Sequence, residues 1–460
     1  MSSSIKKTLI ALSISSALVA PSAFATNGYF AHGYSTAEKG MAGAGVAYSQ
    51  DSMAVANNPA GIAGMGSRMD VGAALFNPNR GYTVSGAPSA PGVGCTGPTD
   101  PNCGTFSLAE GSIDSDSDLF LIPHIGYVWQ QDSETSIALG VYGNGGMNTN
   151  YAGGSASFFN PATGAPITNA PGTFGGGNAG VNLAQLFFNL AYAKKIDSDN
   201  SVGASLIFAY QKFSADGLGN FGGFSVDPGN ISSKGSDAAT GFGAKFGWQG
   251  KVAPAVTLGA SYQTEIAMSE FDDYAGLFAE GGDFDIPATA TIGLAWKTSD
   301  KSTLVFDIQQ IYYEGVASIS NGIANILPSN GLCVPSATGG TGAGCLGGAN
   351  GGGFGWEDMT VIKLGYEWQQ NDMTWRVGLS HGDQPIPDSE VMFNILAPGV
   401  METHLTGGFT MPITSNSEFS FAAMYAPSNS VSGANPMDPA QTIEIEMDQF
   451  ELQGTYTMKF

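Results

Sequence analysis

The stretch Phe450-Glu-Leu-Gln-Gly-Thr-Tyr-Thr-Met-Lys-Phe460 decides the fold. Phe450, Leu452, Tyr456, Met458 and Phe460 share one parity, with Gly454 among them. Glu451, Gln453, Thr455, Thr457 and Lys459 hold the other. A period of two means an extended strand with two different faces. No segment downstream of residue 25 has the ~20 consecutive apolar residues of a spanning helix, so any passage through a membrane has to be made by strands.

The first residues point to export. Lys6 and Lys7 precede an apolar run from Thr8 to Ala20, and Ala23-Phe24-Ala25 supplies a small-x-small site. Residues 1–25 therefore read as a signal peptide. The chain is rich in glycine, with 66 residues, has only 12% charged residues, and carries a formal net charge of −23. That composition suits a large β protein, and that field disfavours nucleic acid as a partner. Cys95 with Cys103 and Cys333 with Cys345 form two close pairs in Gly/Pro-rich stretches, read as two loop disulfides. They lack the histidines and CxxC spacing of a metal site.

Working back from the last strand, period-two segments recur near 68–84, 117–131, 135–151, 182–196, 200–214, 241–251, 255–269, 284–298, 302–315, 358–370, 373–386, 403–413, 417–427 and 442–460. Fourteen is an even number, as a closed single-chain barrel requires. Six short polar turns, such as QQDSE (130–134) and KKIDSDN (194–200), alternate with seven long Gly/Asn/Pro-rich loops. Trp129, Trp248, Trp296, Trp368 and Trp375 all fall near short turns, as in an aromatic girdle. The reading is all-β: a 14-stranded antiparallel transmembrane β-barrel over residues 68–460, in a bacterial outer membrane. On the last strand, the aromatic face meets lipid and the polar face the lumen. Glu444, Glu446 and Asp448 share the lipid parity and are expected to stand above the hydrocarbon.

Residues 26–67 show no sustained alternation, are Gly/Ala-rich, and suit a compact hatch packed inside the lumen. Within them GMAGAGVAYSQDSMAVANNPAG (40–61), followed by LFLIPHIGYVW (119–129) and GWEDMTVIKLGYEW (355–368), resembles the FadL family of outer-membrane transporters of long-chain fatty acids and other hydrophobic compounds. Asn58-Pro59-Ala60 matches the family's hatch motif. The resemblance implies a plugged barrel, a hydrophobic ligand site beneath the extracellular loops, and a lateral opening at a kink in the third strand. It also implies an importer, not an enzyme, acting on long-chain fatty acids by ligand-gated passage and lateral diffusion, with neutral aromatic or alkane hydrocarbons as the alternative cargo. Outer-membrane lipid is the partner expected of the outer face, lipopolysaccharide that of the acidic loops, and the barrel assembly machinery that of the terminal Phe460, which resembles a barrel recognition signal; no cofactor is expected.

Inward parity includes Phe120, Ile122, Phe187, Ile207 and Phe213, an apolar lumen unlike that of a general porin. Gly143, Asn144, Gly145 and Gly146 interrupt the third strand and mark the place for its kink. Lys245 and Lys363 point inward and are candidates for a ligand carboxylate, or for pairing with Asp307 or Glu367. Arg376 reads as a contact between hatch and wall. Gly378-Leu-Ser380-His-Gly382 fits G-x-S-x-G, and His404 could serve a barrel hydrolase. That motif works at a strand-to-helix elbow, however, and this copy lies within a strand. Asp114 to Asp118 has the start of a calcium loop but not its glycine or its final glutamate.

Overall fold

The structure, a computed structural model, describes residues 26–91, 105–160 and 165–460. The signal segment 1–25 and the Cys95/Cys103 pair lie outside the described residues. Fourteen antiparallel strands form the wall: β1 Arg68–Ser85, β2 Phe120–Gln130, β3 Thr135–Asn148, β4 Gly180–Lys195, β5 Asn200–Asp216, β6 Asp237–Ala253, β7 Val256–Gln263, β8 Thr289–Ser299, β9 Ser302–Ile311, β10 Met359–Gln370, β11 Met373–His381, β12 Thr403–Thr414, β13 Ser417–Asn435 and β14 Asp438–Lys459. Each pairs with its sequence neighbour, and β14 pairs with β1 from Lys459↔Arg68 to Thr442↔Ser85. Closure leaves the sheet no edge to expose to lipid.

The alternation read from the last strand is present along it. Phe450, Tyr456 and Phe460 are 42%, 41% and 59% exposed on the outside, while Glu451, Gln453, Thr455 and Thr457 are buried inside. Elsewhere on the wall Leu190, Leu206, Phe246, Ile292 and Leu364 also stand exposed on the outer face. At the short-turn end, aspartates tie the hairpins. Asp132 Oδ1 accepts from the backbone N–H groups of Glu134 and Thr135, and Asp197 Oδ1 from those of Asp199 and Asn200. Such side-chain-to-backbone bonds close a turn without any special backbone geometry.

Two strand readings change. The last connection is not a long loop: β13 and β14 run on to a two-residue turn at Pro436–Met437. Gly433, Pro436 and Pro439 masked the alternation there, and a bulge between Ala426 and Asn429 shifts its phase. Conversely β7 stops at Gln263 and β8 starts at Thr289, so residues 264–288 form a loop joined across its base by an Ile266↔Ile286 bridge.

Residues 26–67 lie against inward-facing side chains on many strands. Ser35 caps the short helix Thr36–Lys39 through Ala37 N–H, and Lys39 pairs with Glu451 at 2.5 Å. Gln453 donates to Thr36 Oγ1 (2.8 Å), and Asp307 accepts from Gly45 and Val46 N–H. Asn58 Nδ2 donates to Val46 O (2.7 Å) and to Trp248 O (2.9 Å), while its Oδ1 accepts from Ala60 N–H. The wall makes room for this segment with glycines. A Cβ at Gly247 would land on Asn58 Oδ1, one at Gly203 on the Pro59 backbone, one at Gly259 on Val46 O, and one at Gly378 on the Met41 backbone. The backbone met at Gly203, Gly259 and Gly378 cannot yield as a flexible side chain can, and the Asn58 side chain met at Gly247 is tied by three hydrogen bonds, so these positions act as seats.

Overpacking of this kind costs about 1–3 kcal/mol. Gly247→Val is therefore expected to leave the barrel folded, by heat-modifiable electrophoretic mobility. Amide exchange over residues 45–60 should accelerate by roughly ten- to a hundredfold. Unchanged exchange there would show that the glycine is not a seat.

Candidate functional site

At the long-loop end, side chains from β4, β5 and four loops close on an apolar cavity of about 40 Å³. Val181 and Phe213 come from the wall, Phe221 from the 3-10 turn Gly219–Phe224, and Leu277, Phe278, Leu346, Phe354 and Phe393 from the loops. The aromatic rings meet edge-on or tilted: Phe213 and Phe278 at 4.7 Å, Phe221 and Phe393 at 5.4 Å and 86°. These geometries suit ring quadrupoles. Cys333 and Cys345 are disulfide-bonded, and the bond holds Leu346 at the cavity while Leu346 bridges to Ser225. Ser318 also lines the cavity, but its hydroxyl donates to Asp283 O, so no charged group faces the space. At about 40 Å³ the cavity is smaller than the ~150 Å³ that holds a benzene-sized guest, so admission of cargo requires the loops to part.

The loop that carries Asp283 is sensitive to protonation. Burial, and next the neighbouring Asp285 carboxylate, push the Asp283 carboxyl up to about 7. Burial also raises Glu390, whose Oε2 accepts from Ile323 N–H.

The second feature is an interruption of the wall. The β2–β3 ladder runs from Gln130↔Ser136 to Ile125↔Val141 and stops there, although β2 continues to Phe120 and β3 to Asn148. On its other side β3 bulges against β4. Ala184 pairs with Gly146 and Leu186 with Gly143, so Gln185 faces both Asn144 and Gly145. The residues singled out as a kink, Gly143 to Gly146, thus occupy a bulge beside an unpaired stretch of wall. Asn144 turns its side chain inward, where it accepts from Tyr34 Oη (2.9 Å) and donates to Gln185 (2.9 Å). From Gln185 the chain of bonds passes to Gln211 and on to Phe284 O. Into the interruption comes Phe30, paired with Gly145, while Gly146 N–H donates to Tyr29 O at 3.2 Å.

Other predicted positions fall as follows. Phe120, Ile122, Phe187, Ile207 and Phe213 are buried in one apolar cluster, and Phe213 alone of these lines the cavity. Asn58, Pro59 and Ala60 sit between β5 and β6 at the glycine seats. Lys245 and Lys363 do not meet at the cavity. Lys245 Nζ donates to Ala56 O, and Lys363 Nζ to His32 O at 3.1 Å, so both are engaged by the N-terminal segment. Arg376 pairs with Glu367 and donates to Gln50, a contact between that segment and the wall. Ser380 Oγ lies 3.2 Å from His404 Nδ1, but both are fully buried within strands, and His404 stacks on His32. Among the described residues no cluster of His, Cys, Asp or Glu is arranged to hold a metal ion. Arg68 and Arg80 are two further inward cations, sharing their parity with Asp70, Phe76 and Tyr82 on β1.

A carboxyl whose folded pKa is raised stabilises the fold below its unfolded value, here 3.8, and that contribution is lost as pH rises through about 7. Amide protection in residues 264–288 is accordingly expected to fall between pH 4 and pH 7. Asp283→Asn should flatten the dependence. Hydrogen exchange at a series of pH values, corrected for intrinsic rates, checks this, and a slope of the opposite sign would refute it.

Comparison with known proteins bears on this arrangement. The structure is similar to the crystal structure of the Pseudomonas putida toluene transporter TodX, with TM-score 0.62, 16% identity, and 93% of this chain and 99% of that one covered. A Pseudomonas aeruginosa FadL homologue is similar at TM-score 0.61 and 14% identity, covering 94% and 100%. The Ralstonia pickettii toluene transporter TbuX follows at 0.58 and 17%, covering 93% and 99%. At these identities the likeness concerns the fold. No individual curated protein matches the sequence. The family model described as outer membrane protein transport protein (OMPP1/FadL/TodX) matches residues 16–458, nearly the whole chain, and the protein belongs to that family of outer-membrane transporters of hydrophobic compounds.

Proposed function

We propose that the protein takes neutral hydrophobic compounds, aromatic or alkane, at the apolar cavity between its loops and releases them sideways through the interruption between β2 and β3. Residues 26–67 act as the hatch that closes the barrel between these two points. The observation that carries the reading is the interrupted β2–β3 ladder with Phe30 seated at Gly145. It is a gap in an otherwise closed wall, filled by backbone from Tyr29 and Phe30, whose rings pack on Tyr313 and Trp356.

The cavity supports the choice of cargo. Its lining offers no charge to a carboxylate, and an apolar guest gains roughly 25 cal/mol for each Å² removed from water. Long-chain fatty acids, the first expectation from the family resemblance, need a partner for the carboxylate, and the two candidates, Lys245 and Lys363, donate instead to Ala56 O and His32 O. Two of the similar structures are toluene transporters, which accords with a neutral cargo.

Two variants separate entry from exit. Deleting Gly145 removes the extra residue of the bulge and restores one-to-one pairing of β3 with β4. Uptake of a radiolabelled monoaromatic hydrocarbon is expected to fall at least tenfold at normal surface levels, with binding to the purified protein retained. Leu277→Asp puts a charge beside the cavity and should weaken binding roughly tenfold or more, because a carboxylate buried in apolar surroundings is unfavourable. Unimpaired uptake after the Gly145 deletion would rule out the lateral path.

A further inference from the structure

We infer that Gln185 and Gln211 are positioning residues of the lateral opening: they form an amide relay through which the loop at residues 264–288 holds the β3 bulge, so that parting of the loops at the cavity loosens the wall at its interruption. The inference rests on the lateral path proposed above and names the wall residues that regulate it. Gln185 is the residue that faces both Asn144 and Gly145 where β3 bulges against β4. Its side chain accepts from Asn144 Nδ2 (2.9 Å) and donates to Gln211 Oε1 (2.9 Å), and Gln211 stands directly opposite it on β5. The next neighbour of Gln211 along the wall is Ala239 on β6, whose methyl side chain accepts nothing. Gln211 Nε2 turns to the loop instead and donates to Phe284 O at 2.8 Å. With Tyr34 Oη donating to Asn144 Oδ1, four bonds run in one sense from the N-terminal segment through the bulge to the loop. Bonds aligned in this way polarise one another, so losing one end weakens the rest.

Stability alone does not account for the relay. Asn144, Gln185 and Gln211 are fully buried, and Leu183, Phe187 and Phe213 flank the two glutamines on the same inner face. Apolar side chains of similar size can replace a bonded buried pair with little change in stability. What an amide adds is the demand for one particular partner, and here that partner lies on a loop that closes the cavity. The carbonyl of Asp283, one residue before Phe284, accepts from Ser318 at the cavity lining, and the Phe284 ring lies 4.8 Å from that of Phe278, another lining residue. Cargo enters the cavity of about 40 Å³ only when these loops part. Moving residues 283–284 takes the acceptor from Gln211 and leaves a buried donor unpaired. Gln211 then has to turn away from Gln185 to find another acceptor, and the bulge loses its inner brace.

The test uses the purified full-length protein without cargo. Phe278→Ala loosens the loop from the cavity side, and none of the four bonds involves Phe278. Ser318→Ala, which removes the bond to Asp283 O, is a second such change. Gln185→Met combined with Gln211→Met removes the relay and keeps its volume. Amide exchange, read by mass spectrometry, is expected to rise over residues 264–288 with either loop change, and to rise roughly tenfold over residues 143–148 as well. Without the relay the same loop changes should still loosen 264–288 but alter 143–148 by less than twofold. If the effects of loop change and relay loss on 143–148 simply multiply, the glutamines are a passive brace and the inference is overturned. A loosened loop with unchanged 143–148 in the chain that keeps its glutamines would overturn it too. Because no cargo takes part, the passage reading fails separately: coupling through the relay together with unimpaired uptake after the Gly145 deletion would uphold the relay and sink the lateral path.

Discussion

Backbone pairing at membrane depth is the constraint on which the rest depends. Hydrocarbon offers no partner to a free N–H or C=O, so a sheet that crosses it has to close, and β14 meeting β1 achieves this over eighteen register pairs. The same constraint gives the interruption at β2 and β3 its meaning. Beyond Val141 the third strand loses its neighbour on that side, and backbone from the N-terminal segment takes the neighbour's place at Gly145 and Gly146. The wall is thus completed by a piece that is not part of the wall. Such a contact satisfies the third strand's backbone only while the segment stays.

Inside the barrel two environments are stacked. Around residues 26–67 the contacts are polar and specific, with Lys39 on Glu451, Asp307 on two backbone amides, Arg68 on Asp70 and Arg376 on Glu367. Nearer the loops the contacts are aromatic and largely uncharged. Buried ion pairs gain little net stability but are costly to break singly, so they fix one seating of the segment among many that apolar packing alone would allow. The aromatic layer has no such directional demand and can part and re-form. Rigidity below and adaptability above follow from which side chains occupy each level.

Much of this was legible in the residues. The alternation of Phe450 to Phe460 placed lipid and lumen correctly because membrane barrels enforce period two on both faces, and the aspartates of the short turns marked one end. The bulge at Gly143 to Gly146 could be located because three glycines within four residues of one strand mark a bulge or bend, a signal that the single glycines of the seats do not carry. What escaped was the β13–β14 hairpin, whose prolines and bulge disguise its pairing, and the partners of Lys245 and Lys363. Parity tells which way a side chain points but not what meets it. Lysines that face a lumen look alike whether a ligand or a backbone carbonyl awaits them. On the first strand the same parity turns Arg68 and Arg80 inward.

The glycine seats and the bed on β14 also order the protein's assembly. Thr36 touches Gln453 and Thr455, and Lys39 touches Glu451, so one end of the chain rests on the other across more than four hundred residues. These contacts require β14 to be in place, and β14 is placed only when the barrel closes. That part of the segment's bed is therefore complete only once β14 has joined β1.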